Sequence, residues 1–198
     1  MSEPRPGKGR LTLLMIIAVF AIPMIAAYLY RPSGEPGNYG TLVDPPRPLQ
    51  EFRMTGLDGE SAGLETLKDK WTLLYVGGDT CGEPCRTQLF NIERVRLTQG
   101  KHMDRVQSLY LAPESMAARE VSDTLVEYKG VKGYRISRSG LDAMAPGFDW
   151  GDAAGPGAAG RIYIVDPLGN LMMFYPNDAD PTGMKKDLSR LLKVSQIG

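Results

Sequence analysis

Residues 70–90, KWTLLYVGGDTCGEPCRTQLF, decide the fold of this chain. The apolar run at 71–76 has the length and composition of a strand that is buried on both faces. Two glycines then let the chain turn, and Pro84 suits the first turn of a helix, because its missing N–H would be unpaired there. The stretch predicts a buried strand, a loop that carries Cys81 and Cys85, and a helix that begins near Pro84.

Hydrophobic spacing and turn residues extend this prediction in both directions along the chain. Strand-like material at 49–59 and a short helix at 64–70 precede the buried strand. After the thiols we predict a helix over 85–99, a buried strand over 106–113, helical material to Gly130, an irregular stretch over 133–160, a hairpin of strands at 161–167 and 170–176, and a final helix capped by Asp180 and opened by Pro181. This order is a βαβ unit followed by an antiparallel hairpin and a terminal helix.

The N-terminal part contains a predicted membrane anchor. Residues 11–30, LTLLMIIAVFAIPMIAAYLY, carry no charge, and about 20 helical residues cover the hydrocarbon core of a bilayer. Three basic residues precede this span and one follows it closely, so the positive-inside rule places the N-terminus in the cytoplasm. The apolar run is longer than that of a cleaved signal peptide, and no A-x-A site follows it. We therefore expect a single pass through the inner (plasma) membrane, with the remainder on the periplasmic, extracytoplasmic side.

The chain of 198 residues is long enough for one domain and an accessory segment. We predict a cytoplasmic N-terminus at 1–10, the transmembrane anchor at 11–30, a Pro- and Gly-rich linker at 31–48 and a folded domain at 49–198. The 23 basic side chains are matched by 23 acidic ones. This balance gives no electrostatic reason to expect nucleic acid as a partner.

Cys81 and Cys85 are the only cysteines of the chain. They are spaced so that they can bridge, and a helix N-terminus stabilises a thiolate by lowering its pKa. Arg86 adds to this effect, whereas Asp79 and Glu83 oppose it. A disulfide that closes so small a loop gains little entropy, which argues against a purely structural bond. A reactive dithiol, in which Cys81 attacks and Cys85 resolves, and a soft-metal site both stay open.

A metal site needs more ligands than the two thiols. Two thiolates suit Cu(I), whereas a usual zinc site takes four ligands. His102 is the only histidine, and its charged setting is typical of a solvated loop. Met103 is a soft donor in principle, while Met172 and Met173 are better explained by the alternating faces of a strand.

Taken together, these features resemble the Sco/SenC family of membrane-anchored, thioredoxin-fold proteins that help to assemble the copper centres of cytochrome c oxidase. The resemblance covers roughly residues 42–194. It rests on the anchor, the lead-in FRMTGLDGE, the strand KWTLLYVGG, the C-x-x-x-C of Cys81 and Cys85, and the hairpin RIYIVDPLGN. It implies an α/β, thioredoxin-like fold for residues 49–198, with a central mixed sheet flanked by helices. It also implies a partner that is an oxidase subunit or another copper chaperone.

The chain departs from the family pattern in two places. The family has Pro after the first cysteine, whereas Gly82 stands there and the proline has moved to position 84. The family's copper-ligand histidine comes just before the strand that corresponds to RIYIVDP, where this chain has GPGAAG at 155–160. The two cysteines carry over and the histidine does not. In related reductases a cis-proline faces the dithiol, and Gly155-Pro156 is more typical of a loop.

Three functions remain open from the sequence. The first is a thiol–disulfide oxidoreductase that supports assembly of the oxidase copper centre through Cys81 and Cys85. The second is a Cu(I) chaperone in which Cys81 and Cys85 bind copper with an unconventional third ligand. The third is a non-catalytic assembly or interaction module. If the family pattern is matched correctly, a histidine placed at Ala158 or Ala159 should raise copper affinity.

Overall fold

The computed structural model of the chain describes residues 8–29, 37–148 and 160–195. The chain divides into two compact units, Met1–Gly37 and Asn38–Gly198. In the first unit the structure describes a helix, α1 (Lys8–Leu29). In the second it describes a β-sheet with helices on its faces.

Helix α1 contains nearly all of the predicted anchor and begins three residues earlier than the predicted span. Among the described residues it is the one helix that is long and apolar enough to cross a membrane. Large apolar side chains along it, such as Leu14, Phe20 and Met24, are exposed. A helix with apolar side chains exposed all round is stable in an apolar environment, as a membrane span requires.

In the described part of the chain, eight strands form one mixed sheet in the order β1-β8-β7-β4-β5-β6-β2-β3. The strands are β1 (Thr41–Pro48), β2 (Arg53–Gly56), β3 (Ser61–Gly63), β4 (Trp71–Val76), β5 (Val106–Pro113), β6 (Val131–Ile136), β7 (Ile162–Val165) and β8 (Asn170–Tyr175). Neighbours β4, β5 and β6 run parallel, and the other pairs are antiparallel. The predicted central mixed sheet is confirmed.

Helices cover both faces of the sheet. They are α2 (Glu83–Leu97), α3 (Ala118–Leu125), α4 (Arg138–Met144) and α5 (Pro181–Val194), with short 3-10 turns at Leu64–Leu67, Gly100–Arg105 and Ala145–Phe148. The predicted helix at 64–70 is thus a single 3-10 turn. Helical material predicted to run to Gly130 forms the short helix α3, which ends five residues earlier.

The predicted hairpin and terminal helix are confirmed. Strands β7 and β8 pair across a turn in which the Asp166 carboxylate accepts hydrogen bonds from the backbone N–H groups of Leu168 and Asn170. Helix α5 begins at Pro181, and the Asp180 side chain caps it by accepting from the N–H of Thr182 at 2.8 Å. The hairpin turn and the start of α5 could both be predicted from the sequence, because side-chain caps and Asx turns act within a few residues.

The linker predicted over 31–48 is wrong over 41–48. These residues form β1, which pairs antiparallel with β8, with Thr41 opposite Phe174 and Pro48 opposite Asn170. Proline cannot donate to a strand ladder, so a proline-rich segment can join a sheet only at its edge. Strand β1 is such an edge strand, and its register shifts between Leu42 and Arg47.

The irregular stretch predicted over 133–160 is also wrong for residues 133–148. Residues up to Ile136 continue strand β6, which pairs parallel with β5, and α4 and a 3-10 turn follow. Strand β6 buries Val131 and Ile136 but has Lys132 and Arg135 between them. No apolar alternation marks such a strand, so the sequence gives little sign of it.

The hydrophobic core has two layers, one on each face of the sheet. On the first face, α2, α3 and α5 pack on side chains of alternate strand positions, such as Leu73, Tyr75 and Tyr110. On the second face, Leu74, Val76 and neighbours pack against Phe148 and the N-terminal strands. Strand β4 is therefore buried on both faces along its whole length, as its unbroken apolar run predicts.

Candidate functional site

Cys81 and Cys85 lie at the carboxyl-terminal edge of the parallel strands. Strand β4 ends at Val76, and the N–H of Gly77 makes one last bond to the carbonyl of Leu111 at 3.0 Å. The chain then leaves the sheet and enters α2, whose N-cap is Gly82. Cys85 therefore falls in the first turn of α2, and Cys81 lies in the loop just before it.

The two cysteines form a disulfide with their Cα atoms 5.1 Å apart. Cys85 is 5% exposed and belongs to the core, whereas Cys81 is only partly buried. The accessible sulfur is thus that of Cys81, as the sequence predicts. In thiol–disulfide exchange the accessible sulfur is the one that a partner thiolate can attack.

Charges of both signs surround the disulfide. The Arg86 guanidinium lies 3.7 Å from the Glu127 carboxylate, so its positive charge is shared with an exposed acid. The Asp79 carboxylate accepts a hydrogen bond from the Ser115 hydroxyl at 2.6 Å. Gly82 provides no side-chain cap, which leaves the first N–H groups of α2 without a side-chain acceptor at this end. The helix N-terminus is therefore available to stabilise a thiolate at Cys85.

A buried tyrosine lies against the inner sulfur. The Tyr110 hydroxyl oxygen is 3.8 Å from Cys85 Sγ and 3.6 Å from Met116 Sδ. Its ring stacks on that of Tyr75, with centroids 5.8 Å apart, and the two residues are register partners in β5 and β4. Burial is the largest cause that raises the pKa of Tyr110 above its ordinary value. The hydroxyl therefore stays protonated over the physiological range.

A cleft of about 470 Å³ opens beside the outer sulfur. Cys81 and Arg86 form one side of it, and α3 with the residue before it forms the other. The α3 side contributes Ala117, Arg119, Glu120, Asp123 and Thr124. The cleft gives a partner chain room to approach Cys81. A second cleft of about 490 Å³, between β2, β3 and α4, contains neither cysteine.

The candidate metal ligands are not brought together. His102 and Met103 lie in the turn before β5, at the amino-terminal end of the parallel strands, whereas the cysteines follow their carboxyl-terminal ends. Over the described ranges 8–29, 37–148 and 160–195, no group of three His, Cys, Asp or Glu side chains could hold a metal. The recruitment of His102 as a third ligand beside the thiols is therefore contradicted.

The other predicted positions have different outcomes. Along β8 burial alternates, with Met173 buried and Met172 less so, which confirms the strand interpretation of the paired methionines. Gly155-Pro156 and the substitution sites Ala158 and Ala159 lie outside the described residues.

Two family models match this chain. One, described as the transmembrane-like, thioredoxin-like C-terminal domain, matches residues 71–195, which include both cysteines and the whole of β4. The chain belongs to this family. The other model, described as the transmembrane-like, N-terminal domain, matches residues 4–31, which contain α1. No curated protein is significantly similar to this chain in sequence.

Solved structures of two kinds share its fold. ScoI of Bradyrhizobium japonicum, solved with copper bound, has a TM-score of 0.58 at 21% identity, over 72% of this chain and 98% of its own. BsSco, a member of the Sco family of cytochrome c oxidase assembly proteins in which a disulfide switch was identified, has a TM-score of 0.60 at 14% identity, over 78% and 99%. A DsbF homologue from Corynebacterium diphtheriae has 0.56 at 15%, over 84% and 98%. The predicted resemblance to Sco proteins is thereby confirmed at the level of the fold.

Sequence reasoning missed Tyr110 and Met116. Tyr110 reads as one more apolar residue of the buried run VQSLYLAP, and Met116 lies in a segment predicted only as helical. A usable signal existed for the first of them. Tyr75 and Tyr110 are each the fifth residue of a strand predicted to be buried, and parallel neighbours bring such positions together.

Proposed function

We propose that this protein is a membrane-anchored thiol–disulfide exchange protein that works through Cys81 and Cys85. The observation that carries the proposal is the asymmetry of the pair. A partly buried Cys81 faces an open cleft, while Cys85 is buried in the first turn of α2. This arrangement separates an attacked sulfur from a leaving sulfur, which a purely structural bond does not need.

The exchange proceeds in two balanced steps. A partner thiolate attacks Cys81 Sγ, the Cys81–Cys85 bond breaks, and its electron pair leaves on Cys85 as a thiolate. A second partner thiolate then attacks the partner's own sulfur in the mixed disulfide and releases the Cys81 thiolate. The partner dithiol is oxidised by two electrons and this protein is reduced. Run backwards, the same steps reduce a partner disulfide, and the two reduction potentials set the direction.

The similarity to Sco proteins supports a role in the assembly of cytochrome c oxidase. BsSco belongs to a family of cytochrome c oxidase assembly proteins, and a disulfide switch was identified in it. We propose that the partner thiols of this chain belong to an oxidase subunit of the copper centre or to another copper chaperone. The proposed topology keeps residues 1–10 in the cytoplasm and the thioredoxin-like domain on the outer side, where disulfides form and persist.

A copper-delivery role is the second candidate, and the copper-bound ScoI structure favours it. When reduced, Cys81 and Cys85 are two soft donors at one place, which fits the preference of Cu(I) for thiolates. The described residues do not complete a Cys-Cys-His set, because His102 lies at the opposite end of the parallel strands. An anaerobic Cu(I) titration of the reduced protein against a competing chelator decides between the roles. Tight one-to-one binding that is lost in Cys81→Ser supports the delivery role, and weak or absent binding supports exchange.

A matched pair of cysteine variants tests the exchange role. Full-length Cys85→Ser and Cys81→Ser proteins in detergent are incubated with oxidised glutathione, and the mixed disulfides are counted by mass spectrometry. Cys85→Ser keeps the accessible sulfur without its resolving partner, so it should accumulate the glutathione adduct at least tenfold faster than Cys81→Ser. Equal rates for the two variants would contradict the proposed division of roles. Failure of both to react would contradict exchange itself.

A further inference from the structure

The Tyr110 hydroxyl lies between two sulfur atoms and has one hydrogen to donate. It is 3.8 Å from Cys85 Sγ and 3.6 Å from Met116 Sδ, and both sulfurs are buried. A disulfide sulfur has no hydrogen, so in the oxidised protein only the hydroxyl can be the donor in either contact. Met116 Sδ is the nearer of the two possible acceptors.

The position of the oxygen is fixed by packing on several sides. The Tyr110 side chain is fully buried and stacks on Tyr75 with an interplanar angle of 16°. The backbone of Gly77 approaches so closely that a Cβ there would lie 2.7 Å from the Tyr110 hydroxyl oxygen. The hydroxyl therefore cannot move away from Cys85 without disturbing the core. Its hydrogen can still rotate about the C–O bond from one sulfur to the other.

Opening the disulfide changes which sulfur is the better acceptor. Exchange at Cys81 leaves Cys85 as a thiolate, and hydrogen bonds to a charged acceptor are roughly twice as strong as those to a neutral one. Met116 offers only a weakly accepting thioether. Because the site is buried, the new thiolate competes strongly for the hydroxyl hydrogen.

We propose that Tyr110 is a catalytic residue that donates a hydrogen bond to Cys85 Sγ as the disulfide opens and thereby stabilises the leaving thiolate. This inference rests on the proposed exchange function. When the Cys81–Cys85 bond breaks, its electron pair stays on Cys85 Sγ, the O–H···S hydrogen bond forms, and the proton remains on Tyr110. Because burial raises the pKa of the tyrosine, the hydroxyl acts as a hydrogen-bond donor and not as an acid.

The test is the rate at which glutathione reduces the disulfide of the full-length protein in detergent, measured by alkylation and mass spectrometry. Tyr110→Phe keeps the ring and removes the donor, so reduction should slow about tenfold, since a poorer leaving thiolate departs more slowly. The control is Tyr163→Phe, which removes another buried hydroxyl on the opposite face of the sheet. It should change the rate less than twofold. Equal slowing in both variants would reduce Tyr110 to a packing role and contradict the proposal.

A second readout follows the thiol directly. In a Cys81→Ser background, the pKa of the Cys85 thiol is obtained from the thiolate absorbance as a function of pH. Adding Tyr110→Phe should raise that pKa by about 1, which corresponds to a tenfold change in the ionisation equilibrium. An unchanged pKa would overturn the proposal.

Met116→Leu separates the donor from the surrounding packing. It removes the competing acceptor, so reduction should be no slower than in the unaltered protein. A tenfold loss in Met116→Leu would mean that packing around the ring sets the rate, against the proposal. The same rates distinguish a failure of the exchange function from a failure of the role of Tyr110. If glutathione does not reduce the disulfide of the folded, unaltered protein, exchange fails; if it does and Tyr110→Phe reacts equally fast, only the role of Tyr110 fails.

Discussion

Gly77 and Gly78 follow β4 side by side, but the structure gives them opposite tolerances to a side chain. A Cβ on Gly77 would lie 2.6 Å from Cε2 of Tyr110, closer than real Cβ contacts occur, whereas a Cβ on Gly78 would meet no atom within 4 Å. Tyr110 is fully buried and stacks on Tyr75, so the core around it must shift to admit the methyl group. Gly77→Ala should therefore cost about 1–3 kcal/mol of unfolding free energy, the usual range for overpacking a core.

Gly78→Ala is the matched control, because it adds the same methyl group one residue later. The added methyl group restricts the unfolded chain. Gly78→Ala should therefore leave the unfolding free energy unchanged or raise it by about 0.4–1 kcal/mol. A difference of about 2 kcal/mol corresponds to a gap of about 4–8 °C in melting temperature for a domain of this size. Thermal unfolding of full-length protein in detergent, followed by circular dichroism, measures the gap. Equal melting temperatures would show that Tyr110 is not packed against Gly77, and the position of its hydroxyl would then be wrong.

Three further predictions concern other parts of the domain. Asp187→Asn should lower the unfolding free energy by about 2 kcal/mol. The buried Asp187 carboxylate accepts hydrogen bonds from the N–H groups of Tyr39 and Gly40 and from the Tyr175 hydroxyl. A urea titration that shows no loss of stability would contradict this prediction. Burial raises the pKa of Tyr110, so this tyrosine ionises first in the unfolded state as pH rises. The unfolding free energy should therefore fall above about pH 10, and it should fall less steeply in Tyr110→Phe. Parallel curves for the two proteins from urea titrations at about pH 9–11 would refute this. His102→Ala should leave the Cu(I) affinity of the reduced protein unchanged in a chelator competition, since His102 lies far from the thiols, and a tenfold loss would place it in the coordination.

The parts of the fold that could be predicted from the sequence are those set by local chemistry. The apolar run at 71–76, the proline at the start of α2 and the cap at Asp180 each act within a few residues of themselves. Strands β1 and β6 could not be predicted in this way. Their residues join the sheet through partners far along the chain, and neither the prolines of β1 nor the polar residues of β6 show the alternation of a half-buried strand.

The candidate site also combines residues placed by local sequence with residues placed by distant strand pairing. Cys81 and Cys85 are only four positions apart in the sequence, so their spacing alone predicts that they can bridge. Tyr110 reaches the inner sulfur only because β5 lies beside β4 in register, and Met116 in turn contacts the Tyr110 hydroxyl. A hydrogen-bond donor that topology brings to a site leaves no motif around the site itself, and so it is found only in the folded structure.

The reduction potential of the Cys81–Cys85 pair tests the central claim most directly. Full-length protein in detergent is equilibrated with a series of thiol–disulfide buffers, and the oxidised fraction is determined after alkylation. A working exchange couple should show a reversible two-electron transition above about −300 mV, the level below which structural disulfides resist cellular reductants. A potential well below that level, or a disulfide that opens only when the domain unfolds, would show that the bond is a structural clip and would contradict the account.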